Sequence, residues 1–115
     1  MTQYAALIYS ADVDWSAPEY VDSMEGYNRF TEIAGDAVTG GAALHPTTTA
    51  TVVRVKGARG GDIVTTDGPY AETKEALTGF YLLEASDLDA AIKLAAEIPA
   101  AWDGAVEVRP VLTFG

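Results

Sequence analysis

The sequence contains no cysteine. This absence excludes disulfides, thiolate metal ligands, cysteine nucleophiles and thiol redox sensing. His45 is the single histidine, so the usual multi-histidine metal sites are absent as well, and the carboxylates form no cluster that would hold a metal alone. We therefore expect neither a metal nor another cofactor.

Basic residues are few. The chain has 7 lysines and arginines against 17 aspartates and glutamates, which gives a formal charge of −10. Apart from Arg54, Lys56 and Arg59, the basic residues are scattered along the sequence. Because the negative net charge repels a phosphate backbone, we expect no direct binding of nucleic acid.

Long apolar runs are also missing. No segment approaches the roughly 20 apolar residues of a membrane-spanning helix, and residues 1–9 lack the basic start of a signal peptide. Gly57, Gly60 and Gly61 precede no helix, so they do not form a phosphate-binding loop. We expect a cytoplasmic protein that makes no use of a membrane.

About half of the 115 residues are apolar, which is typical of one globular domain spanning residues 1–115. Short apolar or alternating runs predict β-strands, separated by turn residues. Four of these runs lie at residues 4–9, 37–46, 77–85 and 105–112. Residues 50–69 hold two further runs, which are joined by a turn at residues 57–61.

Two segments have apolar residues at helical spacing. Ser16 and Ser86 precede them and are each followed three positions later by an acidic residue, Glu19 in the first case, which is typical of a helix N-terminus. Gly35 and Pro99 are placed to end the two helices. A glycine inside the first helix, at position 26, predicts close packing there.

The order of these elements predicts an α+β fold. Residues 4–44 and 78–112 each form a strand, helix, strand unit, and a β-hairpin lies between them. Because both crossover helices should cover one face of the sheet, the other face is left open. A face-to-face homodimer would cover it.

Alternation along the last strand predicts which side chains reach that open face. Val106, Val108 and Leu112 should pack under the helices, whereas Glu107 and Arg109 should point away from them. Arg109 is therefore a candidate anchor for an anionic ligand. The simpler alternative is a structural ion pair between Glu107 and Arg109.

The segment "TTDGPYAETKEALTGFY" holds the remaining candidates. Asp67 ends a strand and is a candidate general acid or base, although aspartate before glycine is also a common turn residue. His45 is the one side chain whose ordinary pKa lies near neutrality, and it lies at a strand end where it is either catalytic or a surface residue. Tyr70, Glu72 and Lys74 form either a solvated loop or a lid that binds ligand.

A long part of the chain resembles a known family. The stretch "DGPYAETKEALTGFYLLEASDLDAAIKLAAEIPAA" followed by "VEVRPV", together with "YAALIY" and "GGAALHPTTTATVVRV", is similar to the YCII-related family and to its DGPF branch, with Tyr70 in place of the usual phenylalanine. The resemblance implies a bacterial protein with a ferredoxin-like doubled βαβ unit and an inserted hairpin, assembled as a dimeric α+β barrel.

The resemblance also implies two kinds of function. Some YCII relatives are small-molecule lyases such as dehydrochlorinases, for which a histidine and aspartate pair is suggested. The first helix here has no histidine, so only Asp67 is carried over, with His45 as a substitute partner. The first hypothesis is thus a homodimer that binds a small molecule, or a lyase that uses Asp67. The alternative is a regulatory partner of an extracytoplasmic-function sigma factor, which suits the acidic surface.

Overall fold

The computed structural model describes residues 1–18 and 21–114, with only the backbone for residues 21–23. The described elements follow the predicted order of strands and helices. They are β1 (Thr2–Ser10), α1 (Val21–Ala34), β2 (Val38–Ala43), β3 (Thr51–Lys56), β4 (Asp62–Asp67), β5 (Ala76–Ala85), α2 (Leu88–Ala95), α3 (Ala100–Asp103) and β6 (Ala105–Pro110).

The main sheet has four strands in the order β2-β5-β1-β6, and each neighbouring pair is antiparallel. The β1-α1-β2 unit is therefore split by β5, and the β5-α2-β6 unit is split by β1. The other two strands, β3 and β4, form a separate two-stranded sheet. This arrangement confirms the ferredoxin-like α+β fold with an inserted hairpin.

The hydrophobic core lies between the main sheet and the helices. Its largest fully buried side chains come from α1, from β5 and from the segment between α2 and α3: Phe30, Leu83 and Ile98. Alternate residues of β1 complete it, with Ala6 and Ile8 facing the helices. Because both helices contribute to one core, they cover the same face of the sheet, as the crossover rule predicts.

The first helix ends as predicted. Gly35 follows α1 with a positive φ of 54°, a conformation that glycine adopts at little cost. The predicted cap at its beginning stays a prediction: the Ser16 hydroxyl donates to Asp14 Oδ1 at 2.5 Å, and α1 is described from Val21 onward. Glu19, the predicted partner of Ser16, lies outside the described residues.

The second helix begins one residue later than predicted. Asp87, rather than Ser86, is the N-cap, and its carboxylate accepts a hydrogen bond from the Ala90 N–H at 2.9 Å. An ionised carboxylate suits this position because it also faces the positive end of the helix dipole. The predicted apolar stripe is narrower than expected, since Leu88 and Ile92 are half-exposed.

The face of the main sheet that the helices leave uncovered carries Gln3, Ala5 and Leu7 of β1 together with Glu107 and Arg109 of β6. We call it the open sheet face. The alternation predicted for Val106 and Val108 is confirmed, because both pack against the core. The prediction for Leu112 is wrong: β6 ends at Pro110, and Leu112 is 74% exposed.

Candidate functional site

A β-bulge at Thr78 shapes the end of the main sheet. The pairing of β1 with β5 passes from Ile8 opposite Gly79 to Tyr9 opposite Leu77, so Thr78 is the extra residue. Its side chain is buried, and its hydroxyl lies 3.0 Å from the Ser10 hydroxyl. Bulges of this kind bend a strand and redirect side chains, and they are frequent beside functional sites.

The carbonyl oxygen exposed by this bulge fixes a tryptophan over the sheet. Trp15 Nε1 donates to the Thr78 carbonyl oxygen at 3.2 Å, and the Leu44 N–H donates to the same oxygen at 3.0 Å. The Trp15 ring also meets the Tyr27 ring edge to face, with centroids 5.3 Å apart. The loop before α1, the helix itself and the end of β2 are thereby joined at one place.

These contacts border a cavity of about 240 Å³ between α1 and the sheet, which we call the aromatic cavity. None of the described residues that line it carries a charge at neutral pH. Its lining consists of Ile8, Trp15, Met24, Tyr27, Gly41, Ala42, Ala43, Thr78, Gly79, Phe80 and Tyr81. The cavity therefore combines ring faces and aliphatic groups with few polar atoms.

Small residues of β2 and β5 keep this part of the sheet tightly spaced. A Cβ atom at Gly41 would lie 2.5 Å from the Phe80 carbonyl oxygen, and Gly41 has a φ of 156°. A Cβ atom at Gly79 would lie 2.8 Å from the Ala42 carbonyl oxygen. Since real Cβ atoms do not approach backbone oxygens so closely, side chains at these positions would force the strands apart.

Two phenols in the wall of the cavity stay uncharged at neutral pH. Burial raises the pKa of Tyr27 to about 12, with the neighbouring Tyr81 and Asp103 adding to the shift and the Ala100 backbone opposing it. Burial also raises the pKa of Tyr81. Both hydroxyls are therefore neutral hydrogen-bonding groups, and neither offers a counter-charge to an ionic ligand.

A larger surface groove lies on the other side of the Trp15 and Tyr27 rings. It has a volume of about 570 Å³ and is bordered further by Pro99, Trp102 and Asp103. Trp102 donates from Nε1 to the Ala96 carbonyl oxygen at 2.9 Å, which holds its ring at the rim. Trp15 and Tyr27 thus border both the apolar cavity and the larger groove.

Asp67 and His45, the predicted acid/base pair, lie outside the aromatic cavity. Asp67 is exposed at the end of β4, opposite Thr51, and the next residue donates its N–H to the Ala50 carbonyl oxygen at 2.8 Å. His45 is exposed after β2 and lies near Asp14, whose pKa is lowered mainly by the Ser16 hydrogen bonds and further by the His45 charge. Within the described residues, no hydrogen bond or ion pair joins Asp67 to His45. Their catalytic roles stay predictions.

The loop that follows Asp67 places its candidates at the surface. Tyr70 is 79% exposed, and its ring lies 5.4 Å from the Arg54 guanidinium. Glu72 lines a small polar recess with Asp12, whose carboxylate accepts hydrogen bonds from the Thr47 N–H and hydroxyl. Both carboxylates make this recess acidic.

The two basic side chains that were predicted to bind ligand, Lys74 and Arg109, are exposed to solvent and lie in different parts of the molecule. Lys74 is exposed in the loop before β5. Arg109 lies on the open sheet face, where its Nε is 3.8 Å from Glu107 Oε2 and both side chains are largely exposed. An exposed ion pair of this length contributes little to stability. The ligand-binding roles of Tyr70, Glu72, Lys74 and Arg109 therefore stay predictions, and the aromatic cavity is lined by none of them.

Sequence reasoning missed most of the residues of the aromatic cavity. Tyr27 reads as part of a helical core stripe and Phe80 as part of a buried strand, while Trp15 belongs to a loop. The available signal was the pair of glycines at 41 and 79, because glycine inside a strand often marks a bulge or a close backbone approach. The chain separation of 63 residues between Trp15 and Thr78 hides their contact from any local pattern.

The described part of the chain holds no group of three or more histidine, aspartate or glutamate side chains arranged to bind a metal ion. No described helix is long and apolar enough to span a membrane.

Fold and cavity together define a ferredoxin-like α+β domain with an apolar, aromatic-lined cavity between helix and sheet. Residues 3–115 match the model of the YCII-related domain, so the chain belongs to the YCII-related family. It is also 41% identical over 75 residues to an uncharacterized protein of Rhizobium meliloti (strain 1021), a match that covers 64% of this chain. The match spans 58% of that protein's length.

Proposed function

We propose that this protein binds a small, neutral and largely apolar molecule in the aromatic cavity. The observation that carries the proposal is the cavity itself, a partly open concavity of about 240 Å³ lined by aromatic and aliphatic groups. Trp15 is held over it by the Thr78 carbonyl oxygen at 3.2 Å, so this wall is fixed in place. Largely preformed, mostly apolar concavities with a few polar groups are the usual form of small-molecule sites.

Size and charge restrict the ligand. An apolar cavity of about 150 Å³ accepts benzene, so this cavity has room for one aromatic ring with substituents. An ionised ligand would lose its hydration without gaining a counter-charge from the described lining, at a cost of several kcal/mol. The net charge of −10 disfavours anions further. A hydroxyl on the ligand can meet the hydroxyl groups of Thr78, Tyr27 or Tyr81.

The proposal is tested with p-cresol, a neutral aromatic molecule, and benzoate, an anion of similar size. Trp102→Phe leaves Trp15 as the single tryptophan, so its fluorescence reports on the cavity. The eight heavy atoms of p-cresol, at about 0.5 kcal/mol each, give about 4 kcal/mol and a Kd near 1 mM. We expect saturable quenching by p-cresol and at least tenfold weaker binding of benzoate.

A cavity-filling variant provides the matched control. Ala43→Leu adds three carbons at the cavity wall, whereas Ala101→Leu adds the same three carbons on the exposed side of α3. We expect Ala43→Leu to weaken p-cresol binding at least tenfold and Ala101→Leu to leave it unchanged. Equal binding by both variants, or tighter binding of benzoate, would contradict the proposal.

Lyase-type chemistry is a separate proposal, with Asp67 as general acid or base and His45 as its partner, and it requires a substrate at Asp67 itself because Asp67 lies outside the aromatic cavity. It is supported by the position of Asp67 at the end of β4 in the Asp-Gly-Pro segment. A chlorinated cyclic hydrocarbon is a suitable test substrate because its elimination needs only a base: the base takes a proton from carbon, a carbon–carbon double bond forms, and the carbon–chlorine bond breaks to release chloride. If Asp67 removes its proton, Asp67→Asn should abolish chloride release and Asp62→Asn, at the other end of β4, should preserve it. Equal rates in both variants would remove Asp67 from this role.

A regulatory role is the second candidate, and the acidic surface favours it. Outside residues 51–67 the chain has 15 acidic and 4 basic residues. Such a surface can bind a basic segment of an extracytoplasmic-function sigma factor. Salt-sensitive capture of a sigma factor by the purified protein would support this candidate, whereas binding that is insensitive to salt would count against it.

We also propose that the protein is a homodimer formed through the open sheet face. Leu7 and Leu82 lie on that face next to Ala5, and no described helix covers them. Leu82→Glu would place a charge in this interface, so sedimentation should detect monomers, while Ile33→Glu on the outer side of α1 should preserve the dimer. A dimer unaffected by Leu82→Glu would contradict this interface.

A further inference from the structure

Residues 51–67 form an arm that stands away from the rest of the molecule. Its two strands, β3 and β4, contact each other extensively but make at most isolated contacts with the helices and with the main sheet. Every residue of the arm except Val52 is exposed. The radius of gyration is accordingly 16.3 Å, above the roughly 13 Å of a compact chain of this length.

The two faces of the arm differ in character. Val53 pairs with Thr65 and Val55 pairs with Ile63, so these residues form one apolar face. Val53 is 61% exposed and Ile63 is 72% exposed. The opposite face presents Arg54 and Lys56 together with Val52, Val64, Asp62 and Thr66, and the Arg54 guanidinium lies over the Tyr70 ring.

An arm of this kind is incomplete by itself. An isolated two-stranded hairpin is only marginally stable in water, and three or more strands with a covered apolar face are needed for independent stability. The arm instead exposes its apolar face, and exposed apolar patches on soluble proteins mark interaction sites. A partner that covers Val53, Val55 and Ile63 would stabilise the arm.

Charge indicates which partner this is. The arm contributes Arg54, Lys56 and Arg59 against Asp62 and Asp67, so it is slightly basic. The remainder of the chain has 15 acidic and 4 basic residues. Two copies with a net charge of −10 each repel one another, and the basic arm offsets this repulsion where it meets the acidic surface of the other copy.

The dimensions agree with this arrangement. The arm follows β2, an edge strand of the main sheet, so it leaves the molecule at the sheet edge. Six residues per strand extend over about 20 Å, whereas a four-stranded sheet is about 15 Å wide between its outer strands. The arm is therefore long enough to reach across a second sheet.

We propose that the arm of each copy crosses to a second copy of this chain, with the apolar face of Val53, Val55 and Ile63 packed against it and the basic side chains near its acidic surface. The inference rests on the proposed homodimer and adds the element that holds the two copies together. It does not depend on ligand binding in the aromatic cavity.

Sedimentation equilibrium tests the proposal on the full chain. Val53→Ser combined with Ile63→Ser removes the apolar face, and we expect the dimer Kd to rise at least tenfold. Ile33→Ser combined with Leu88→Ser is the control, because these apolar residues are half-exposed on the helices and lie outside the arm. The control should leave the dimer Kd unchanged.

An arm deletion keeps the test decisive if the serine variant is poorly folded. Residues 52–66 are replaced by Asn-Gly, which can join Thr51 to Asp67 because these residues already pair. Since the arm makes at most isolated contacts with the other described elements, the circular dichroism of the main sheet should be preserved. We expect this variant to be monomeric at concentrations where the wild type is dimeric.

Charge reversal tests whether the basic side chains of the arm stabilise the dimer. Lys56→Glu with Arg59→Glu should weaken the dimer at least tenfold at low salt, whereas Arg29→Glu with Lys93→Glu changes the net charge equally outside the arm and should have a smaller effect. A wild-type monomer would overturn both the homodimer and the arm. A wild-type dimer that survives the arm deletion would overturn the arm alone, and an arm needed only to bind a different protein would also overturn it.

Discussion

Replacing Leu83 by alanine should be one of the most destabilising conservative changes in this protein. Leu83 is fully buried on β5, an inner strand of the main sheet, opposite Tyr4 of β1 and Val38 of β2. The change removes three carbons, worth about 0.8 kcal/mol each in transfer free energy. The cavity left behind adds to this, because the antiparallel neighbours on both sides hold the backbone in place.

We expect the free energy of unfolding to fall by about 3–4 kcal/mol. A chain of 115 residues has a total stability of roughly 6–17 kcal/mol, so the loss is a large fraction of it. Leu88→Ala is the matched control, since Leu88 is half-exposed at the first position of α2 and alanine is at least as good a helix former. Its cost should be below about 0.5 kcal/mol.

Urea unfolding followed by far-UV circular dichroism measures both values, at one fixed protein concentration because a dimer would make the midpoint depend on concentration. A loss below about 1 kcal/mol for Leu83→Ala would show that the core is not where the sheet and helices meet. Equal losses for Leu83→Ala and Leu88→Ala would contradict the assignment of the covered face.

Three further changes test the helices and the cavity wall. Burial raises the pKa of Tyr27 from 10 to about 12, so the unfolded chain loses this proton at a lower pH than the folded protein does. The contribution of the Tyr27 hydroxyl to the free energy of unfolding is therefore complete below pH 10 and is lost as the pH rises to about 12. After allowance for solvent screening of a half-buried group, the wild type should lose about 1 kcal/mol more than Tyr27→Phe over this range, as urea midpoints at the two ends would show. Asp87→Ala should cost about 1 kcal/mol by thermal unfolding because it removes the N-cap of α2, and Asp89→Ala should cost less than half as much. Gly26→Ala should not give the gain of about 1 kcal/mol typical of an open helix position, because its Cβ would lie 2.9 Å from Pro99 Cγ; a higher melting temperature would contradict this contact.

Much of the fold could be predicted because its signals are local. The period-two alternation of β6 and the glycine at position 35 depend on neighbouring residues alone, and both are confirmed in the structure. The close packing predicted at Gly26 is also confirmed, by its contact with Pro99. The cap of α2 could not be assigned to Asp87 rather than Ser86, because both residues are good caps and only the backbone geometry decides between them.

The aromatic cavity could not be predicted in the same way. It depends on the bulge at Thr78, which arises from the register between two strands far apart in the chain. The contact of Trp15 with Thr78 depends in turn on that bulge. The local motifs pointed instead to Asp67 and its neighbours, because acidic, basic and hydroxyl side chains are typical of catalytic sites. In the fold, however, Asp67 and these neighbours are exposed to solvent.

Locating a bound ligand tests the role of the aromatic cavity most directly. Amide chemical shifts recorded by NMR during a titration with p-cresol report on every backbone position near the site. We expect concentration-dependent shifts at Gly41, Thr78 and Gly79, which line the aromatic cavity. Shifts confined to the surroundings of Asp67 and Arg109, with none at the three cavity amides, would contradict it.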